Sequence, residues 1–150
     1  MKDYKKILIF LFIVFVGIQF IPTNHNQSTE ILKSEITKNF DIPQNIQVLL
    51  IKSCYDCHSN NTHYPWYSKI QPGSWILEKH IKEGKKDLNF SEFGNYSKRK
   101  QKSKFKSIAS QVRDHKMPIA SYTLIHRNAK LSKVEKQQIM KWSTNLRDSL

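Results

Sequence analysis

Residues 53–60 read SCYDCHSN, and Cys54 and Cys57 are the only cysteines of the chain. Two thiols three residues apart, followed at once by a histidine, form the C-x-x-C-H pattern of c-type haem attachment. Each thiol can bind one vinyl group of the same porphyrin, and the imidazole of His58 can then be the proximal ligand of the iron. The motif predicts one covalently bound haem c, held by Cys54 and Cys57 with His58 on the iron.

Three other interpretations of the cysteine pair stay open at this point. A structural disulfide suits an exported protein, but it gives His58 no role. A thioredoxin-like redox pair needs a strand–turn–helix setting, and the sequence has no βαβ pattern. A zinc site needs four ligands, so His63 would have to join the single cysteine pair.

The sixth ligand of the iron has several candidates. We rank Met117 first, because Pro118 follows it and a Met-Pro step ends a helix, so the thioether can project from a turn. His80 is the runner-up, because its predicted helix also carries Trp75 and Ile76. An open or water-bound position is a further alternative. The other histidines are ranked lower: His25, His63, His115 and His126.

Aromatic residues follow the motif within about twenty positions. Pro65 and Pro72 stiffen the loop that carries most of them. Aromatic rings can pack on a porphyrin while their polar tips reach water, although ordinary core packing is the alternative. The residues predicted to pack against the haem are Tyr64, Trp66, Tyr67 and Trp75.

The N-terminal region has the layout of an export signal. Residues 7–21 contain no charged side chain, and Lys2, Lys5 and Lys6 precede them. As a helix this stretch spans about 22 Å, short of a bilayer core of about 30 Å. No A-x-A cleavage site follows, so we expect residues 1–21 to stay as a signal anchor, with cleavage as the alternative. Residues 22–40 are interpreted as a tether. The lysines ahead of the apolar stretch should stay in the cytoplasm, so the domain, residues 41–150, is expected in the periplasm and anchored to the inner membrane.

The periodicity of residues 41–150 predicts an all-α domain with long loops around the haem, preceded by one N-terminal hydrophobic helix. Pro43 is expected to open a helix that buries Ile46, Leu49 and Leu50 and runs into Cys54. A second helix is expected to end near Gly84, and a third to end at the Met-Pro step. Ser132 and Glu135 form a capping box for the last helix. Apolar positions on the last two helix faces are Phe105, Ile108, Val112, Ile139, Trp142 and Leu146.

The stretch around the motif resembles the bacterial haem-binding-domain family of small cytochrome-c-like proteins. The more specific segments are Tyr64-Pro65-Trp66-Tyr67 and Leu88-Asn89-Phe90-Ser91, and the resemblance covers roughly residues 41–146. It implies covalent haem on the two cysteines, His58 as an axial ligand, and an exported or membrane-anchored location. It does not imply an established reaction. The chain departs from the family at Asp87, where members often carry a histidine.

The charge balance bears on partners. The chain has 25 Lys and Arg against 12 Asp and Glu, a net charge of +13, with a dense basic run at residues 98–106. Such a run can be the solvated face of an amphipathic helix, a surface that steers encounters with acidic redox proteins, or a surface that meets anionic lipid headgroups. Export and covalent haem argue against nucleic acid. We expect electron transfer rather than enzymatic catalysis. The alternative is a haem-based sensor or a peroxide-handling enzyme with an open sixth position.

Overall fold

A computed structural model describes residues 3–150, and over this range the chain is all-helical, without a β-strand. This confirms the all-α part of the predicted fold class. Three short 3-10 helices, Trp66–Lys69, Phe90–Asn95 and Arg127–Ala129, connect the α-helices. The α-helices are α1 Asp3–Ile18, α2 Ile36–Asn39, α3 Gln44–Ser53, α4 Tyr55–His58, α5 Gly73–Asp87, α6 Lys98–Arg113, α7 Ala120–Ile125 and α8 Lys133–Ser149.

The core forms where α6 and α8 pack side by side and α3 packs against α8. Phe105 of α6 lies at its centre and contacts Phe93 and Trp142, with ring centroids 4.9 and 5.8 Å away. The predicted apolar faces of α3, α6 and α8 are buried there, because their spacing of three and four residues places them on one side of each helix. The buried residues of these faces are Ile46, Leu49, Leu50, Phe105, Ile108, Val112, Ile139 and Trp142.

The capping box at the start of α8 is confirmed. The Ser132 hydroxyl accepts from the Glu135 N–H, and the Glu135 carboxylate accepts from the Ser132 N–H. Glu135 also accepts a hydrogen bond from Lys52 of α3. The N-terminus of α8 is therefore fixed to the helix that leads into the cysteine motif.

The N-terminal apolar stretch forms α1, a helix of 16 residues without a buried side chain. Nowhere in residues 3–150 is there a helix both long enough and apolar enough to span a membrane. Gln19, just beyond the helix, exchanges hydrogen bonds with the backbone of Gln71.

Residues 22–40, interpreted above as a tether, pack on the rest of the domain. Ile36 is completely buried in the core. Glu35 accepts a hydrogen bond from the Tyr55 hydroxyl, and the Asn26 amide donates to the Ser59 carbonyl. The Ser34 carbonyl accepts from the N–H of Gly94 at 2.7 Å. The packed part of the chain therefore begins before residue 41.

Helix α6 ends at Arg113, not at the Met-Pro step as the sequence predicts. His115 adopts a left-handed conformation, with φ of 57°. Its N–H donates to the Val112 carbonyl, and the N–H of Lys116 donates to the Gln111 carbonyl, so the helix closes with a Schellman motif. The N–H of Met117 also reaches the Gln111 carbonyl, at 3.2 Å. This turn fixes Met117 against the end of α6.

The left-handed backbone at His115 allows a test by two variants. His115→Ala and His115→Gly both lose the contact between the imidazole and Lys136. Only Ala keeps the steric cost of a Cβ in the left-handed region, about 1 kcal/mol. We expect the Gly variant to be more stable than the Ala variant by about that amount, measured by urea denaturation. Equal stabilities would show that this turn is not formed as described.

Candidate functional site

The cysteine motif forms a single helical turn between α3 and α5. Cys54 is both the last capping residue of α3, through its N–H to the Leu50 carbonyl, and the residue that precedes α4. The Cys54 carbonyl then accepts from the N–H groups of Cys57 and His58, at 3.2 and 3.0 Å. The two thiols and the imidazole thus leave the backbone from one tight turn.

The orientation of His58 is fixed by two backbone carbonyls. Its Nδ1 lies 2.9 Å from the Gly84 oxygen and 3.0 Å from the Leu88 oxygen. Both partners can only accept, so Nδ1 carries the hydrogen and Nε2 keeps a free lone pair. Burial lowers the pKa of His58, and the two carbonyl bonds offset only part of this effect. The side chain is therefore a neutral imidazole with one nitrogen available for a metal.

Gly84 permits this arrangement because α5 and α4 touch at its Cα. A Cβ at position 84 would lie 2.6 Å from the Cys57 carbonyl oxygen and 3.2 Å from the Cys57 Cβ. The obstacle is backbone, which cannot rotate away as a side chain can. A glycine here brings the end of α5 close enough for its carbonyl to reach His58.

The cysteines are free thiols that open onto the site. Burial, followed by the charge of the neighbouring cysteine, raises the pKa of Cys54 to about 12. Burial and the charge of Asp56 raise the pKa of Cys57 to about 11. A catalytic redox pair needs a lowered thiol pKa, so this environment disfavours the thioredoxin-like alternative.

The zinc alternative finds no geometric support in residues 3–150. They contain no group of three or more His, Cys, Asp or Glu side chains arranged to hold a metal ion. His63 lies apart from the thiols. Its N–H donates to Asp56, and its side chain lines a separate cavity with Tyr64 and Thr62.

Two adjacent cavities, of about 170 and 390 Å³, meet at the motif. The smaller one reaches towards α5 and α7, and the larger one towards α6. His80, the runner-up ligand, lines the smaller cavity only, whereas Met117 lines both. The residues shared by the two linings are Ser53, Cys54, His58, Asp87 and Met117.

The four aromatic residues predicted to pack against a haem lie outside both cavity linings. Tyr64 stacks on His25, with centroids 4.3 Å apart, and lines the separate cavity. Trp66 is 74% exposed. Trp75 is partly buried in α5, and Tyr67 hydrogen-bonds His126 across 2.8 Å.

The structure adds an aromatic wall that the sequence reasoning did not identify. Tyr122 of α7 lines the smaller cavity and donates from its hydroxyl to Asp56 of the motif. Its ring stacks on His126 at 4.2 Å, and His126 in turn bonds Tyr67. Burial and the bond to Asp56 raise the pKa of Tyr122. Pairing an isolated tyrosine with an aspartate 66 residues away has no local sequence signal.

The chemistry of this donor set suits an iron porphyrin. An imidazole nitrogen and a methionine thioether are both established ligands of haem iron. His58 supplies the first with its second nitrogen already bound to carbonyls, and Met117 lines the same cavities. Two thiols on the same turn could bond to the vinyl groups at the edge of the porphyrin. The residues present therefore fit the group that the motif predicts.

The close approach at Gly84 generates a test. Gly84→Ala should lower the free energy of unfolding, because the clash with the Cys57 backbone exceeds the roughly 1 kcal/mol of helix propensity that alanine gains. It should also weaken the bonds to His58 Nδ1. Thermal unfolding measures the first effect, and the ¹⁵N shifts of the imidazole measure the second.

Gly94→Ala is the matched control for this variant. A Cβ at position 94 would meet the Asn39 side chain and not the Cys57 backbone that packs against Gly84. This control should leave the imidazole shifts unchanged. A Gly84→Ala protein with native stability and native His58 shifts would contradict the packing described here.

Comparison with known proteins identifies the family. No curated protein and no solved structure gives a significant match to the chain. A family model, described as a haem-binding domain, matches residues 13–145. The match includes α3 to α7, the cysteine motif and Met117. The chain belongs to the haem-binding domain family.

Proposed function

We propose that this haem-binding protein is an electron carrier with one haem c attached through Cys54 and Cys57. The observation that carries the proposal is His58, whose Nδ1 is bound to two carbonyls while Nε2 stays free, in a residue that lines the smaller cavity together with both cysteines. When bound, the haem supplies a one-electron couple between ferric and ferrous iron. The chain holds and orients it and excludes other ligands from the metal.

Met117 is the side chain that favours a carrier over an enzyme. It lines both cavities with His58, and its backbone N–H is held by the Gln111 carbonyl at the end of α6. With His58 and Met117 both holding the iron, the metal would have no open site for a substrate. Methionine as the second ligand would also raise the reduction potential relative to a second histidine.

A haem-based sensor or a peroxide-handling enzyme is the second candidate. The smaller cavity favours it, because His80 and Glu83 line that cavity and offer groups that could move a proton. This function needs a sixth position that is open or easily displaced. Binding of carbon monoxide or cyanide therefore distinguishes it from the carrier.

We propose further that the protein acts outside the cytoplasm with an acidic redox partner. The exposed apolar side chains of α1, together with Lys2, Lys5 and Lys6 ahead of residue 7 in the sequence, support residues 7–21 as an export signal that attaches to the inner membrane. The exposed cations of α6 support an acidic partner, because opposite charges steer the encounter. They are Lys98, Arg99, Lys100, Lys102 and Lys106.

Covalent attachment is tested first. The chain, co-expressed with a c-type maturation system, should give a c-type absorption spectrum that survives denaturation and acid–acetone extraction. Cys54→Ser and Cys57→Ser should each leave one attachment point, and the double variant should release all haem on extraction. Complete haem loss from the unsubstituted protein on extraction would overturn covalent attachment.

Met117→Ala tests the carrier. It should abolish the ferric Met–iron charge-transfer band, lower the reduction potential and allow fast binding of carbon monoxide by the reduced protein. Met140→Ala is the matched control, because Met140 is a partly buried methionine of α8 that packs on the core and lines neither cavity. Rapid carbon monoxide binding by the unsubstituted protein would instead favour the sensor.

A further inference from the structure

Helix α6 presents a polar face to the larger cavity. Lys104, Ser107 and Gln111 line this cavity, and their spacing of three and four residues places them on one side of the helix. Ile108 and Val112 border them and pack into the core. An ammonium, a hydroxyl and an amide therefore share one wall of a cavity that Cys54 and His58 line on the other side.

Lys104 differs from the other cations of its run. The other five at residues 98–106 are exposed, whereas Lys104 is partly buried. In the part of the chain that the structure describes, the ion pairs join Lys52 to Glu135, Arg113 to Asp114 and Arg147 to Asp148, so Lys104 has no carboxylate partner. A partly buried ammonium without a counter-charge is costly unless another group supplies one.

Charges divide unequally between the two cavities. The smaller cavity is lined by Asp56, Glu83 and Asp87, and no lysine or arginine is among its described lining residues. In the described lining of the larger cavity, Lys104 is the one lysine or arginine, and Asp87 at the end of α5 is the one carboxylate. An anion entering this site is therefore favoured at α6 and disfavoured at α5.

A haem bound through its vinyl groups carries two carboxylates on another edge. These propionates need donors or a cation wherever protein covers them, because charge-assisted hydrogen bonds offset their desolvation. The wall formed by α6 offers hydrogen-bond donors and a cation, whereas the carboxylates of the smaller cavity would repel a propionate. The chemical need of the cofactor and the unpaired lysine thus complement each other.

We propose that Lys104, assisted by Ser107 and Gln111, is the carboxylate-binding site of this cavity and takes a haem propionate, so that its charge also raises the reduction potential. This inference rests on the proposed function, because it requires a bound haem. It assigns the cavity face of α6, with Lys104, to the cofactor, whereas the exposed face, with Lys106, stays available for a partner. Lys104 acts on the iron through charge and is a positioning residue rather than a catalytic one.

Lys104→Gln in the full-length haem-loaded protein tests the proposal, with Lys106→Gln as the matched control on the exposed face. Removing the inner charge should lower the ferrous-to-ferric ratio at a fixed ambient potential on the order of tenfold, or about 59 mV for one electron. The propionate bending bands in the resonance Raman spectrum should shift as well. Lys106→Gln should change neither readout.

Lys104→Arg keeps the charge and completes the design. It should restore the potential, and if Lys104→Gln fails to load haem, loading by the Arg variant supports the proposal. If Lys104→Gln matches Lys106→Gln in both readouts, the carboxylate site is overturned but the proposed function is not. The same conclusion follows if neither Lys104 variant loads haem. An unsubstituted chain that holds no haem would overturn the proposed function and this inference together.

Discussion

The site depends on one interaction, the approach of the His58 Nδ1–H to the carbonyl end of α5. The last carbonyls of a helix have no partners within it and carry the negative end of its dipole. The Gly84 oxygen accepts from both Leu88 N–H and His58, and the Leu88 oxygen accepts from His58 as well. The imidazole thus caps a helix at the same time as its free nitrogen becomes available. Loss of this contact would remove the orientation of the imidazole and one partner of the Gly84 carbonyl.

A second helix end fixes the other axial candidate in the same way. The Schellman turn after α6 directs the N–H groups of Lys116 and Met117 to the Gln111 carbonyl. Both proposed ligands are therefore held by carbonyls at helix ends, His58 through its side chain at the end of α5 and Met117 through its backbone N–H at the end of α6. Because α6 also packs along α8 in the core, the position of Met117 depends on the tertiary fold, whereas α4 and α5 are joined by their own close contact.

The sequence was informative where a physical rule acts over a few residues. Three- and four-residue spacing identified the buried faces of α3, α6 and α8, and a four-residue pattern identified the Ser132 cap. It was uninformative where a side chain meets a distant backbone atom. Any residue type can supply the carbonyls of Gly84 and Leu88. The packing of residues 22–40 has no local signal either, because the burial of Ile36 depends on partners far along the chain. Proximity in sequence also misdirected the aromatic assignment, since Tyr122 and not Trp66 lines the cavity.

Helix α6 separates two electrostatic tasks by its periodicity. Its exposed cations lie in solvent, where charges are screened over about 10 Å at 0.1 M salt, so in the proposed carrier they would affect the rate of encounter with an acidic partner. Lys104 lies at the cavity, where lower polarity strengthens each interaction and salt screens it less. Substitutions of the exposed cations should therefore change salt-dependent association and leave the reduction potential unchanged. Substitution of Lys104 should change the reduction potential at any ionic strength. One basic segment can in this way evolve for a new partner without changing the potential of the haem.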